Sequence, residues 1–182
     1  MARKPRPPEP PLERRKPPKA KDDPDALAPW TFEPIGVVRS PYTYVHDAPR
    51  QGAGAANAPA EIVLKTGMQN CLRDLAGFDR VWVVFVFNYS NGWNEMVIPP
   101  RDTTHRGVLA TRAPHRPNPI GLTCARIISV KARTVTIDEH DLLDGTPVLD
   151  LKPYLPYADA HPAARAGWTD SLPPGAPDHR WE

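Results

Sequence analysis

Between residues 30 and 160 the hydrophobic residues fall in short blocks separated by polar stretches that carry proline or glycine. Phe32, Ile35, Val37 and Val38 predict a strand ending at Ser40-Pro41, and residues 61–64 predict a second. Residues 81–87, with Arg80 before them, form an unbroken apolar and β-branched run, the pattern of a central strand buried on both faces. Further strands are expected at 107–111, 122–130 and 134–137, the last two alternating like a half-buried sheet, and one more at 149–151. Helical patterning is confined to 69–75 and 158–166. Many short strands joined by Pro- and Gly-bearing loops predict a mainly β chain: a single antiparallel or mixed β-barrel with a few short helices outside it. There is no internal repeat.

Composition divides this picture in three. A chain of 182 residues suits one domain, and its 25 prolines, against a usual share of about 5%, exclude a long-helix architecture. Ten of the prolines lie in the first 34 residues, and residues 1–21 carry eight Lys or Arg against two Glu. That segment is therefore +6, and the remainder must sum to −4 to give the total of +2. Residues 1–29 read as a disordered basic tail, too poor in apolar groups to offset the entropy of ordering. Attraction to a polyanion and simple solvation both fit it. Residues 30–160 are the expected barrel domain, and residues 161–182 a loosely ordered proline-rich tail. No apolar run approaches a membrane span or a signal-peptide core, so a soluble, intracellular protein is expected. Cys71 and Cys124 form no Cys-x-x-Cys pair, which suits a reducing compartment.

Four loops are too polar to be core. In Pro49-Arg50-Gln51-Gly52-Ala53-Gly54, the glycines ahead of Asn57 mimic a dinucleotide fingerprint, but no buried strand precedes them and Pro59 obstructs a following helix. A Rossmann fold is thereby excluded. The loop either brings Arg50 and Gln51 to a ligand or merely connects strands. The second loop, 99–122, holds Arg101, Arg106, Arg112 and Arg116, four in sixteen residues, with His105 and His115. Guanidinium forks suit phosphate and stack on bases, which points to an RNA-facing surface, although a solvated loop has the same composition. Within it, the two X-Pro units of Arg116-Pro117-Asn118-Pro119 fix the backbone and hold Arg116 and Asn118 in place. The third, Asp141-Leu142-Leu143-Asp144-Gly145-Thr146-Pro147, reads as a tight turn with two carboxylates. The fourth, residues 150–157, interleaves Lys152, Tyr154 and Tyr157 with prolines; its tyrosines could stack on a nucleobase or seal a barrel end. The histidines are dispersed, with no zinc or iron spacing, and no metal site is expected. There is no nucleophile elbow or P-loop.

These segments, taken in order, resemble one family. Phe32-Glu33-Pro34-Ile35-Gly36-Val37-Val38-Arg39-Ser40-Pro41, Pro49-Arg50-Gln51, Ala110-Thr111-Arg112 with Arg116-Pro117-Asn118-Pro119-Ile120-Gly121, residues 141–147, and Asp150-Leu151-Lys152-Pro153-Tyr154 are similar to the motifs of the TrmO family, also called TsaA-like or YaeB/VirR. The resemblance covers about residues 32–159. It implies a barrel that binds S-adenosylmethionine outside any Rossmann fold, usually as a homodimer, and methylates N6 of threonylcarbamoyl-adenosine at position 37 of tRNA in the cytoplasm. Carried over, the cofactor contacts are Pro49, Arg50, Gln51, Arg80, Val81, Arg112, Leu122, Asp141, Leu142, Leu143 and Asp144. The residue chemistry is compatible, with an arginine for a carboxylate tail and acids for ribose and positive charge. An acceptor for an N6 proton that holds the nitrogen out of plane would assist transfer, and Asn118 is nominated, with Asp144 second. The tRNA contacts expected are Arg101, Arg106, Arg116, Lys152 and Tyr154. Longer members carry a further domain after the Lys-Pro-Tyr motif, and here the basic N-terminal tail is expected to supply some of its RNA affinity.

Overall fold

The computed structural model describes residues 25, 27–52 and 58–172, so most of the basic tail, Gly54, Asn57 and the prolines from 173 onward lie outside the described residues. Contacts divide the chain into residues 1–32 and 33–182, and all regular strand structure belongs to the second unit. In the first, residues 27–32 have no regular secondary structure and are exposed.

Six strands close into a barrel in the order β1-β2-β7-β6-β3-β8, every pairing antiparallel. They are β1 (Gly36–Arg39), β2 (Ala60–Leu64), β3 (Arg80–Val86), β6 (Ile120–Lys131), β7 (Thr134–Asp138) and β8 (Pro147–Pro153). β4 (Met96–Val97) and β5 (Arg106–Gly107) form a separate two-stranded ribbon. The barrel core is β-branched and aliphatic: Val38, Ile62, Leu64, Val81, Val83, Val135, Ile137 and Val148 are all essentially fully buried. Each large side chain of this set contributes about 1.5–3 kcal/mol by leaving water. At one end Phe85 fills the barrel and meets Phe87 edge-on at 5.0 Å. Gly121 makes room for it, because a Cβ there would fall 2.2 Å from the Phe85 ring.

The single barrel expected from the strand pattern is thus present, with several local differences. β3 is not buried on both faces. Val81, Val83 and Phe85 point inward, while Trp82, Val84 and Val86 are half-buried on the outside, since a closed barrel has one interior. The outer face is partly covered by the chain after β8, where the Trp82 indole donates to Asp159 at 3.1 Å and tilts against Tyr154. The stretch 107–111 gives only the two residues of β5 followed by a 3-10 turn, Val108–Ala110. The helix expected at 69–75 is two 3-10 turns, Gln69–Leu72 and Leu75–Gly77, separated by Asp74 at φ +67°. The one expected at 158–166 is a single turn, α1 (Pro156–Asp159), begun by proline at N1 and ended by an extended Ala160. Farther on, Gly167–Ser171 forms a 3-10 turn where loose chain was expected.

Antiparallel order decides where the loops go. β1, β3 and β7 end, and β2, β6 and β8 begin, at the same end of the barrel, so residues 40–59, 87–119 and 139–146 converge on one rim. Three of the four polar loops read from the sequence therefore share it.

Candidate functional site

This rim is held together by side chains rather than by regular structure. Arg112, from the β3–β6 connection, donates to the Gln51 side-chain oxygen of the β1–β2 connection at 2.8 Å. Next to Gln51, Gly52 lies against the β7–β8 connection so closely that a Cβ would stand 2.2 Å from the Glu139 carbonyl and 2.8 Å from the His140 Cα. Glu139 adopts a left-handed backbone, φ +51°, and its carboxylate bridges Arg80 at 2.5 Å and Arg126 at 3.3 Å. Arg126 also forms a two-pronged pair with Asp138. The bond to Glu139 raises the pKa of Arg80, and that same bond lowers Glu139. A four-membered ion network thus clamps the start of the connection.

Beyond the clamp, His140 is buried. The Leu142 backbone N–H donates to its Nδ1 at 3.1 Å, so the ring proton sits on Nε2, which donates to the Ala58 carbonyl at 2.7 Å. Burial pushes His140 below its ordinary value, against the opposing pull of that carbonyl. Asp141 follows. Its carboxyl is largely buried, and its Oδ1 is out of water without a hydrogen-bond partner. Burial raises its pKa, although Thr123, His140 and Arg112 all pull the other way. A buried carboxyl oxygen with nothing to accept from is costly unless a ligand completes it. Asp141 and Arg112 together offer an acid and a guanidinium on one rim. That set is complementary to a ligand carrying both a carboxylate and a positive charge.

Asp144 is exposed and accepts from the Ser40 backbone N–H at 3.0 Å, while its own N–H donates to the Tyr42 carbonyl at 2.8 Å. It lines an open depression of about 680 Å³ with Arg39, Ser40 and Glu61. On the other side of the same turn, a Cβ on Gly145 would lie 3.8 Å from the Tyr89 hydroxyl. Asn118 is exposed on a tight turn in which its carbonyl accepts from the Ile120 N–H at 2.7 Å, and the Pro119 carbonyl accepts from Phe87 at 2.8 Å. Upstream, Ser90 lies 2.9 Å from His115 Nδ1.

Several nominated residues have structural partners. Arg106 pairs with Asp102 at 2.7 Å and lies over the Trp168 ring at 5.3 Å. Arg116 donates to the Thr111 carbonyl at 3.2 Å. Lys152 pairs with Asp150 at 2.7 Å, and Tyr154 packs on Trp82 on the barrel's outer wall. Arg101 is exposed. Arg80 stands at the opposite end of β3 from the rim and is engaged by Glu139. Val81 and Leu142 are core residues, so any ligand contact of theirs is through backbone, whereas Leu122 points outward, 57% exposed. Pro49 and Arg50 are half-buried beside Gln51, and Leu143 is half-buried in the turn between Asp141 and Asp144. Among the described residues no three His, Cys, Asp or Glu gather as a metal site, and no helix is long and apolar enough to cross a membrane. Residue-by-residue reading missed Tyr89, Glu139, His140 and Trp168. Only Tyr89 carried a local signal, a polar Asn-Tyr-Ser-Asn-Gly turn directly after the apolar run.

Comparison with known proteins identifies the family of the barrel. Residues 37–160 match the family model described as the tRNA-methyltransferase O N-terminal domain. The "tRNA (adenine(37)-N6)-methyltransferase" of Escherichia coli K12 is 37% identical over 157 residues, spanning 81% of this chain and 67% of that protein. An "S-adenosyl-L-methionine-binding protein" of Archaeoglobus fulgidus is 38% identical over 128 residues, 70% of this chain and 91% of that one. The crystal structure of TrmO from Pseudomonas aeruginosa superposes with a TM-score of 0.69 at 37% identity, covering 81% of this chain and 66% of that one. The chain thus spans about two thirds of the length of that TrmO. With the domain model matched over residues 37–160 and relatives 37% identical along most of the chain, the chain belongs to the tRNA-methyltransferase O family.

Proposed function

We propose that the chain is an S-adenosylmethionine-dependent methyltransferase that acts on N6 of adenosine 37 in tRNA, with threonylcarbamoyl-adenosine as the preferred form, working as a homodimer in the cytoplasm. The observation that carries this reading is the presence on one rim of Arg112, held by Gln51, and Asp141, whose buried Oδ1 lacks a partner and whose carboxyl feels the Arg112 charge. That donor set fits the cofactor: Arg112 suits its carboxylate, and Asp141 with the turn carbonyls suits its ribose or its positive charge. When bound, the cofactor supplies an electrophilic methyl group on a sulfonium. The protein's part is then orientation and exclusion of water, because displacement in line needs little covalent help. Asn118, fixed between Pro117 and Pro119, offers its amide oxygen to an N6 hydrogen and so holds the nitrogen lone pair out of conjugation. Asp144, exposed on the same rim, is the second candidate for accepting that hydrogen and taking it up as a proton when the methyl group is transferred. Arg101 and Lys152 supply positive charge for the tRNA backbone.

The Archaeoglobus relative, named for binding alone, keeps a second reading in play: a barrel that holds the cofactor without turnover. Transfer of labelled methyl from S-adenosylmethionine to tRNA, with and without the threonylcarbamoyl group, separates the readings. Transfer that is strongest with the modified tRNA is expected. Cofactor binding with no transfer to either tRNA overturns the enzyme reading.

A further inference from the structure

Arg112 sits in a stretch with little regular structure to hold it. The 3-10 turn before it, Val108–Ala110, is three residues long, too short to be stable alone. Its exit is tied at Thr111. The Thr111 N–H and hydroxyl both reach the Val108 carbonyl, at 3.1 and 2.8 Å, and the Thr111 carbonyl accepts from Arg116. One anchor on this stretch comes from far away in sequence. The Trp168 indole N–H donates to the Ala110 carbonyl at 2.9 Å, a contact 58 residues apart. The face of the same ring carries the Arg106 guanidinium at 5.3 Å. Arg106 is itself held by Asp102, whose other oxygen accepts from the Thr103 and Thr104 N–H groups at 2.8 and 3.1 Å.

Trp168 therefore grips the segment at both ends of residues 106–110, two residues short of Arg112. The turn that presents it, Gly167–Ser171, is built to be stiff. Gly167 takes φ +65°, the Ala166 N–H donates to Asp170 at 2.9 Å, and the Ser171 hydroxyl donates to the Trp168 carbonyl at 2.7 Å. An indole is suited to this double task, since its ring attracts a cation while its edge must find an acceptor.

We infer that the 167–171 turn is a strap and that Trp168 is a positioning residue for Arg112. It fixes the backbone from which Arg112 reaches Gln51 and, on the reading proposed above, the cofactor's carboxylate. Among the described residues the strap makes no hydrogen bond to Asn118 or to the turn at 141–146, so loosening it should weaken cofactor capture and leave the transfer step largely intact.

The test uses the full chain with Trp168→Phe, which keeps a ring for Arg106 and loses the N–H, and Trp168→Ala, which loses both. Two readouts are needed: amide hydrogen exchange across residues 106–113, and KM for S-adenosylmethionine against kcat on tRNA. In Trp168→Ala, exchange at Val108, Thr111 and Ala113 should quicken by about tenfold or more and KM should rise by a similar factor, with kcat within about twofold. Trp168→Phe should fall between it and the parent. Unchanged exchange and unchanged KM in both variants overturn the strap, and so does a loss confined to kcat. If barrel amides such as Val83 also quicken in Trp168→Ala, the Phe variant decides, because it removes one hydrogen bond and leaves the packing. If the parent protein neither binds the cofactor nor transfers methyl, the functional reading fails, while the exchange comparison still decides the strap.

Discussion

Gly52→Ala is the smallest change that should disturb the site through geometry alone. The added methyl would lie 2.2 Å from the Glu139 carbonyl oxygen and 2.9 Å from its carbonyl carbon. Carbon and oxygen that are not bonded settle no closer than about 3.3 Å, so the two backbones must part by about 1 Å. Neither can yield by rotating a side chain, because both obstacles are backbone. Glu139 is moreover pinned by Arg80 and Arg126. The glycine loop is the freer partner, and its retreat carries Gln51 away from Arg112, which now bond at 2.8 Å. Overpacking of this kind costs about 1–3 kcal/mol. In a domain of this size that corresponds to a fall in thermal midpoint of roughly 3–9 °C. A displacement of about 1 Å in a binding group is also enough to cost up to about a hundredfold in function.

Calorimetric titration with S-adenosylmethionine, beside thermal unfolding, reads both effects. A loss of affinity of about tenfold or more is expected. Gly77→Ala is the matched control: no atom lies within 4 Å of a Cβ at that position, and its backbone is ordinary. It should leave affinity unchanged and the midpoint within about 2 °C, as surface substitutions usually do. Affinity within twofold of the parent in Gly52→Ala would refute the claim that this contact sets Gln51 and Arg112.

Two further outcomes follow from the same rim. Asn118→Ala should leave cofactor binding intact and lower turnover by about tenfold or more, measured as single-turnover methylation of tRNA; an unchanged rate removes Asn118 from the mechanism. Stability should fall on acidification below about pH 6.5, because the unfolded chain then protonates His140, while the folded chain, with its His140 pKa depressed, keeps Nδ1 bare for Leu142. Asp141 acts with the opposite sign, since its raised pKa makes the folded state the better proton acceptor. Asp141→Asn should therefore make the acid-side decline in thermal midpoint steeper than in the parent; a shallower decline would contradict the assignment.

Strand existence and the barrel were legible because alternation and β-branching are local signals. Convergence of the polar loops on one rim also follows from sequence once strands are taken as antiparallel neighbours, since every second connection then lies at the same end. Contacts between distant segments were not legible. Glu139 meets Arg80 across 59 positions, and nothing near either residue announces the other. The left-handed backbone at Glu139 was hidden too, because glutamate has no preference of its own for that conformation. Trp168 looked like part of a tail because the helical pattern stops before it and prolines follow at 173 and 174; the Ala110 carbonyl and the Arg106 guanidinium, both distant in sequence, explain it.

The arginines show how one composition serves two ends. Four within 101–116 suggest a cationic face, but a loop without a ladder leaves its backbone carbonyls to be satisfied by other means. Arg116 does that for Thr111, with Ala113 also near its Nη1, and Arg106 joins Asp102 to Trp168. Arginine is apt for this because its five donors lie in a fixed plane. The exposed pair that remains, Arg101 and Arg112, is divided by the same logic, since Arg112 is drawn to Gln51. Phosphate affinity supplied by this loop alone should then be modest, and a tRNA substrate would need positive charge from elsewhere in the chain, for which the net +6 of residues 1–21 is available.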